Sequence, residues 1–450
     1  MRHWISIGLL AILTIGGSAC RSTGRAASNN LQPCEVALAM HNGDGQLDRE
    51  IRQLQHKIRV SPQPLPLIEK LGWSFVEKAR VSFDSGYYKL AEQCAVCLEA
   101  KQAEEIDQGQ KPSSTGSTLN SQSGQSTKSA SLLLRGHALH NLHRFAEAEQ
   151  LARELTRIRG LAFDYGLLGD VLMEQGKLDD AIQAYQRMME LKPGPQAYSR
   201  AAHVHWIKGD LKGARLLMQM AAQAFGQAGS GDAESAAWAW SKLAIYELQA
   251  GNLKKADQIC ELALQIQPEY APALLARGRI LMTENKFTEA AAIIELAEKL
   301  NPLPEYRWAL AEALRAAGDE AKAETVETEL AARAVSDDPR TFSIYLSTRG
   351  EQTAKAFKLA EDELQHRRDV FTLDALAWAQ LAVGKNSEAW QTMQSALATG
   401  TQDARLFMHA AVIAAKANQT AEAQGYFKRV SALQSTLLPS EKERLRQLKL

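Results

Sequence analysis

A period constrains this 450-residue chain more than any other feature. Aligned on a small residue in one apolar segment and an Ala twelve positions later, the chain gives nine pairs. They are Gly136/Ala148, Gly169/Ala181, Ala202/Ala214, Ala244/Ala256, Gly278/Ala290, Ala311/Ala323, Ile344/Ala356, Ala377/Ala389 and Ala411/Ala423. Successive steps are 33, 33, 42, 34, 33, 33, 33 and 34 residues, and the single long step coincides with the Gly/Ser-rich insertion AFGQAGSGDAES (224–235). Self-similarity at such a period is the mark of a repeat architecture.

Two antiparallel helices approach closely only where the contact positions lack bulk, which Gly or Ala on the first helix and Ala on the second provide. Turns carrying Gly or Asn separate the two, as in MEQGKLDDA (173–181), LQAGNLKKA (248–256) and TENKFTEA (283–290). Pro193, Pro268 and Pro302 close units, since Pro cannot continue a helix. Each helix pair leaves an apolar face that only its neighbour can cover, so the units stack. Ile344 is the exception, a bulky residue where a small one is expected.

LGDVLMEQGKLDDAIQAYQRMMELKP (168–193) and WSKLAIYELQAGNLKKADQICELALQIQP (240–268) resemble tetratricopeptide repeats (TPR), with Trp240 at the unit's usual Trp position. The resemblance covers 131–434. It implies an all-α, right-handed superhelical solenoid of about nine helix-turn-helix repeats. The segment 367–390, with the GTQDARLFMHAA after it, resembles C-terminal units of exported bacterial TPR proteins. LGWSFVEKARVSFDSGYYKLAEQCAVCLEA (71–100) reads as a divergent further unit, started by Leu71-Gly72 and with Ala91 as its contact residue.

The N-terminus, MRHWISIGLLAILTIGGSAC, has signal-peptide anatomy: basic Arg2, an apolar run from Ile5 to Ile15 too short to span a bilayer, then small residues. Gly17-Ser18-Ala19-Cys20 resembles a bacterial lipobox at three positions of four, with Gly17 where a large aliphatic is usual. The resemblance implies removal of 1–19, lipidation of Cys20 and a membrane anchor. Arg21, not Asp, implies the outer membrane by analogy with enteric bacteria. Unlipidated, the product is periplasmic or secreted.

The remaining segments follow from composition. Residues 20–33 form a polar, flexible tether. Residues 34–100 are an N-terminal helical segment holding the divergent unit. Residues 101–130, rich in Ser, Gly, Gln and Thr, are expected to be disordered. Residues 131–434 are the array. Residues 435–450 form a polar C-terminal capping helix with a capping box of Ser440 and Glu443.

The 52 basic and 52 acidic residues balance, which argues against a nucleic-acid partner. Candidate chemistry is sparse. Cys94 and Cys97 form a CxxC, but well inside a helix, where two small buried residues are the plainer reading. With Cys34 and Cys260 they also allow one or two structural disulfides in an oxidising compartment. His137, His140 and His143 recur at helical spacing without an accompanying carboxylate or Cys, which is a thin metal signature. Asn42, Asp44 and Asp48 hint at a calcium loop, yet Met40 and Ile51 stand where its first and last carboxylates belong. No nucleophile elbow, phosphate loop or HExxH is present. No enzyme activity and no cofactor are expected.

The TPR resemblance implies that first helices line a concave groove. Positions three before and one, four and five after the small residue give Trp73, His137, His140, Asp170, His203, Trp206, Arg279, Trp308, Glu312, Arg315, Tyr345, Arg349, Asp374 and Trp378. Trp238 joins them from six before Ala244. Five of eight Trp fall on this face, and aromatics with Arg are enriched at binding hot spots. The Asn-rich carboxylate clamp of some TPR domains is not matched. The resulting expectation is a membrane-tethered adaptor binding a protein or peptide segment in envelope assembly, secretion or export. The alternative is a metal- or thiol-redox-binding periplasmic protein using His137/His140 or Cys94/Cys97. Oligomeric state is not legible.

Overall fold

The computed structural model describes residues 32–109, 117–227 and 233–448, so the signal segment, Cys20 and most of the tether lie outside the described residues. Two helices, α1 (Pro33–Ala37) and α2 (Gln46–Val60), lead into antiparallel pairs. The first pairs are α3 (Leu65–Ser82) with α4 (Gly86–Gly109), α5 (Ser117–Asn141) with α6 (Phe145–Ile158), and α7 (Ala162–Glu174) with α8 (Leu178–Leu191). Then come α9 (Pro195–Ile207) with α10 (Leu211–Gln227), α11 (Ala233–Gln249) with α12 (Leu253–Ile266), and α13 (Ala271–Thr283) with α14 (Phe287–Leu300). The array continues with α15 (Pro304–Ala316) and α16 (Glu320–Asp337), α17 (Pro339–Arg349) and α18 (Thr353–Leu364), and α19 (Val370–Ala382) and α20 (Asn386–Leu397). It ends with α21 (Ala404–Lys416) and α22 (Thr420–Leu433), and a short α23 (Pro439–Gln447) follows. This is an all-α solenoid of TPR-like pairs, as the period predicts.

Every second-helix Ala of the nine pairs is fully buried. The way glycine is used differs from simple backbone contact. A Cβ on Gly169 would strike the Tyr185 ring, and one on Gly278 would strike Ile294. At these two positions glycine makes room for a large side chain from the second helix, four residues past the contact Ala, whereas at Gly136 the space is taken by Leu167 of the next unit.

The Ile344 irregularity resolves by one residue. Ser343 is completely buried, and its hydroxyl donates to the Ala356 carbonyl at 2.7 Å, so Ser343 is the small contact residue. Turn geometry agrees. The residue seven after the small one has positive φ in every unit: His143, Gly176, Gly209, Gly251, Asn285, Gly318, Gly384 and Asn418. In the odd unit that residue is Gly350 (φ 69°), seven after Ser343. Ile344 turns aside into the core beside Leu346 and Tyr345.

Two boundaries differ from expectation. Of the expected disordered 101–130, residues 101–109 continue α4 and 117–130 begin α5, while 110–116 lie outside the described residues. Ser131 Oγ donates to Ala95 O (3.1 Å) and Glu99 (2.6 Å), locking the two helices together. A helix nucleated by packed residues extends through Ser, Gln and Thr at small cost per residue. In the first pair, Gly72 faces Cys94, whose Cβ lies 3.2 Å from where a Gly72 Cβ would stand; Ala91 is buried one turn away.

The solenoid closes on itself. Three successive loops of the C-terminal half dock onto the ends of first helices in the N-terminal half. The Arg368 N–H donates to Glu174 O (3.0 Å), the Thr401 hydroxyl to Ile207 O (2.7 Å) and the Ser435 hydroxyl to Leu248 O (3.2 Å). Thr283 at the end of α13 donates to Ser435 O at 2.6 Å. The three acceptors sit in the last turns of α7, α9 and α11, where helix carbonyls run short of internal partners, although Leu248 O also accepts the Gly251 N–H at 2.9 Å. Gly176 is glycine for a second reason: any side chain there would hit the Arg368 carbonyl.

Cys34 and Cys97 form a disulfide across 63 residues, tying α1 to α4. Replacing Cys34 with Ser should lower the unfolding free energy of the N-terminal unit by about 2–4 kcal/mol. Residues 131–434 should keep their hydrogen-exchange protection. Equal loss across the whole chain would mean that the N-terminal unit is not separately stabilised.

Candidate functional site

The first helices of the units line the inner face of the closed solenoid. The structure divides the expected groove residues into two groups.

In the C-terminal half, Trp308, Glu312, Tyr345, Asp374 and Trp378 are all buried. Trp308 Nε1 donates to Glu312 (3.1 Å), and Tyr345 meets Trp308 edge-on at 5.7 Å. Trp378 stacks on His409 at 4.1 Å, and His409 bonds Asp374 at 2.8 Å. The helix α23 lies over Glu312 and Trp378. Its Ser440 N–H and hydroxyl donate to Glu312, the former at 2.9 Å. Arg405 pairs with the fully buried Glu441. Arg444 lies over the Trp378 ring at 4.8 Å and donates to Thr348 O at 2.9 Å.

The C-terminal helix therefore lies inside the groove, against α15 and α21, instead of solvating the end of the array. Its N-terminus is capped by Glu441, which accepts the Leu438 N–H at 2.8 Å; Glu443 pairs outward with Arg446. Sequence pattern marks this helix as polar, and it misleads because the buried anchors are few: Leu437, Leu438, Glu441 and Leu445.

Arg315 and Arg349 are not free to meet a ligand. Both pair with Glu327 of α16, at 2.9 and 3.6 Å, and further with Glu320 and Glu351. Second-helix carboxylates neutralise what the first helices alone present as a basic stretch.

In the N-terminal half the inner face stays accessible. Trp73 lies 5.6 Å from His137, and Asp170 pairs with Arg200 at 2.6 Å while accepting the Tyr185 hydroxyl at 2.9 Å. Arg279 pairs with Glu305 at 2.7 Å, and Trp238 is half-buried. Crowding by protein pushes His137 and His203 down to about 4 and lowers His140, so all three are neutral near pH 7. Trp206 belongs to the closure: it stacks on Phe371 at 5.4 Å and donates Nε1–H to Gln249 at 2.7 Å.

Cys97 is bonded to Cys34, not to Cys94, and burial raises the Cys94 thiol far above its ordinary value. His143 turns away at the αL position to stack on Phe145, and His140 meets the same ring. Among the described residues no three His, Cys, Asp or Glu side chains converge as a metal site, and no helix is long and apolar enough to cross a membrane.

The calcium-like loop is a helix start. Asp48 accepts from His41 (2.7 Å), Lys78 (2.8 Å) and the Gly45 N–H (3.0 Å), its carboxylate turned into the protein.

The inner face also holds Arg200 and Lys242, two positions before the small residues Ala202 and Ala244, which the chosen offsets skip. Their signal is a lone cation within an apolar first helix, in SRAAHVHW and SKLAIYEL.

Comparison with known proteins supports the repeat reading. Two tetratricopeptide-repeat family models match residues 167–233 and 247–312. No curated protein matches. Among solved structures, the human IFIT1 dimer with PPP-AAAA is similar at 12% identity and a TM-score of 0.45, covering 88% of this chain and 96% of that one. Pseudomonas aeruginosa pilF is similar at 13% identity and 0.39, covering 46% of this chain and 92% of that one. A tetratricopeptide repeat protein from Parabacteroides merdae is similar at 16% identity and 0.32, covering 59% and 98%.

Two outcomes follow. Glu441→Ala should cost roughly 1–3 kcal/mol, because Arg405 loses its buried partner, and should release α23. Hydrogen exchange should then accelerate across 439–447 while the array keeps its protection. Asp48 is held well below the usual carboxylate range by Lys78 and His41. Its contribution is present above the unfolded value near 4 and lost as pH falls through the folded one. Acid melting of the N-terminal unit should therefore steepen below about pH 4, and Asp48→Asn should flatten it. Added calcium should change neither curve.

Proposed function

This chain is a tetratricopeptide-repeat protein, and on that premise we propose that it is a non-enzymatic adaptor, exported and lipid-tethered through Cys20, that holds a protein segment on its inner face. TPR units support protein partners in general. The observation that carries the finer reading is the asymmetry of the inner face. Its C-terminal half is filled by α23, whereas its N-terminal half leaves His137, His203, Trp238 and Asp170 accessible.

Export draws support from two sides. The N-terminal sequence has a signal segment ending in a lipobox-like Cys, and the Cys34–Cys97 bridge suits an oxidising compartment. The bridge fixes α1 only fourteen residues after Cys20, so a tether would attach near the N-terminal unit, beside the accessible half of the inner face. The processes this suits are envelope assembly, secretion and export.

The test places a photo-crosslinking amino acid singly at His137, at His203 and, as an outer-face control, at Leu262, in protein expressed with its own signal in a bacterium. Adducts should form from the two inner positions and not from Leu262. Adducts from Leu262 alone would transfer the binding surface to the outer face. Cys20→Ala should move the protein from the membrane fraction to the soluble periplasmic one. Unchanged fractionation would remove the lipid tether from the account.

A further inference from the structure

The inner face of the N-terminal half carries one charge pattern that changes from unit to unit. Arg200, two before the small residue of its helix, reaches back to Asp170, one after the small residue of the preceding unit, at 2.6 and 2.8 Å. Lys242 occupies the same position in the next unit, two before Ala244. The residue one after the small residue of its preceding unit is His203, an imidazole that burial keeps neutral. The repeat geometry that gives Arg200 a carboxylate gives Lys242 none.

The surroundings do not supply a substitute. The charged neighbours of Lys242 are Glu305 and Arg279, which are paired with each other at 2.7 Å. Other carboxylates of this inner face are engaged too: Asp170 by Arg200, Glu174 by Arg367, Asp369 by Arg340 and Glu234 by Arg80. No acidic group among the described residues pairs with Lys242. Its side chain is nevertheless accessible to solvent, although protein crowds it enough for burial to lower its pKa. The ammonium therefore stands without a counter-ion among the described residues. One helical turn before it on α11 stands half-buried Trp238, and His203 stacks on Trp206 at 5.7 Å.

We propose that Lys242, with His203 and Trp238, forms a carboxylate-recognising station on the inner face, which takes a Glu or Asp side chain of the bound protein segment. The ammonium donates to the carboxylate, neutral His203 offers a ring N–H, and Trp238 covers the adjoining methylenes. An acidic peptide fits better than a nucleic acid. A phosphate backbone needs a run of free cations, and the other cations named here are already paired. The inference rests on the inner-face reading above and adds the chemistry of the ligand.

The probes are acetyl-Leu-Glu-Leu-Glu-Leu-Glu-amide and its Gln counterpart, which differ only in charge. Binding is measured by isothermal titration to the full chain. The wild type should prefer the Glu peptide by about tenfold, the size of one charge-assisted hydrogen bond. Lys242→Met should abolish the preference and Lys242→Arg should retain it. Lys254→Met, an exposed control on α12, should leave it unchanged. Because Lys242 has no partner to lose, its Met variant should melt at or above the wild-type temperature, so misfolding would be detected separately.

Equal affinity of the wild type for both peptides, no binding of either, or a preference that survives in Lys242→Met would overturn the assignment. If the preference fails while inner-position crosslinks persist, only the carboxylate station is wrong. If both fail, the inner-face reading falls with it.

Discussion

Helix pairs in this protein are held by contacts that tolerate almost no added volume. The nine buried Ala residues of the second helices set the distance between paired helices, and the first-helix residue decides what fills the space. At Gly169 and Gly278, Tyr185 and Ile294 enter; at Ser343, the hydroxyl reaches the opposite backbone. Extra methylenes at such a seam force off-rotamer side chains and backbone shifts. Turn, crossing and stacking all inherit this spacing, because each unit is placed by the one before it.

Accumulated over the array, the spacing brings units far apart in sequence into contact. The loops around Arg368, Thr401 and Ser435 arrive at the C-terminal ends of α7, α9 and α11 and donate to carbonyls there. Closure then decides which part of the inner face stays accessible. The half lined by Trp308 and Trp378 becomes an interior seat for α23, and the half lined by His137, His203 and Lys242 remains reachable.

Fold was legible in the sequence because the period is local: a small residue, an Ala twelve later and a turn residue between them are all visible in one window. The Ile344 unit was misread by one residue because Ser343 passes for a polar residue until its bond to Ala356 is seen. Site residues were less legible, since helix offsets report which face a side chain occupies but not what lies opposite it. Trp308, Tyr345 and Trp378 are buried, and α23 lies over Trp378 and bonds Glu312 beside Trp308; Arg315 and Arg349 are neutralised by Glu327 from another helix. The Cys34–Cys97 bridge was one of several pairings that sequence allowed. The helical start of α5 escaped a composition argument because its support comes from α4.

Closure is the claim on which the division of the inner face depends, and one amide reports it. The Arg368 N–H lies in a loop between units, and its acceptor, Glu174 O, is nearly two hundred residues away in sequence. Hydrogen exchange of that amide in the intact protein should be slow, at the level of the neighbouring helix interiors. Exchange as fast as that of an open loop would contradict closure, and with it the division of the inner face into a filled and an accessible half.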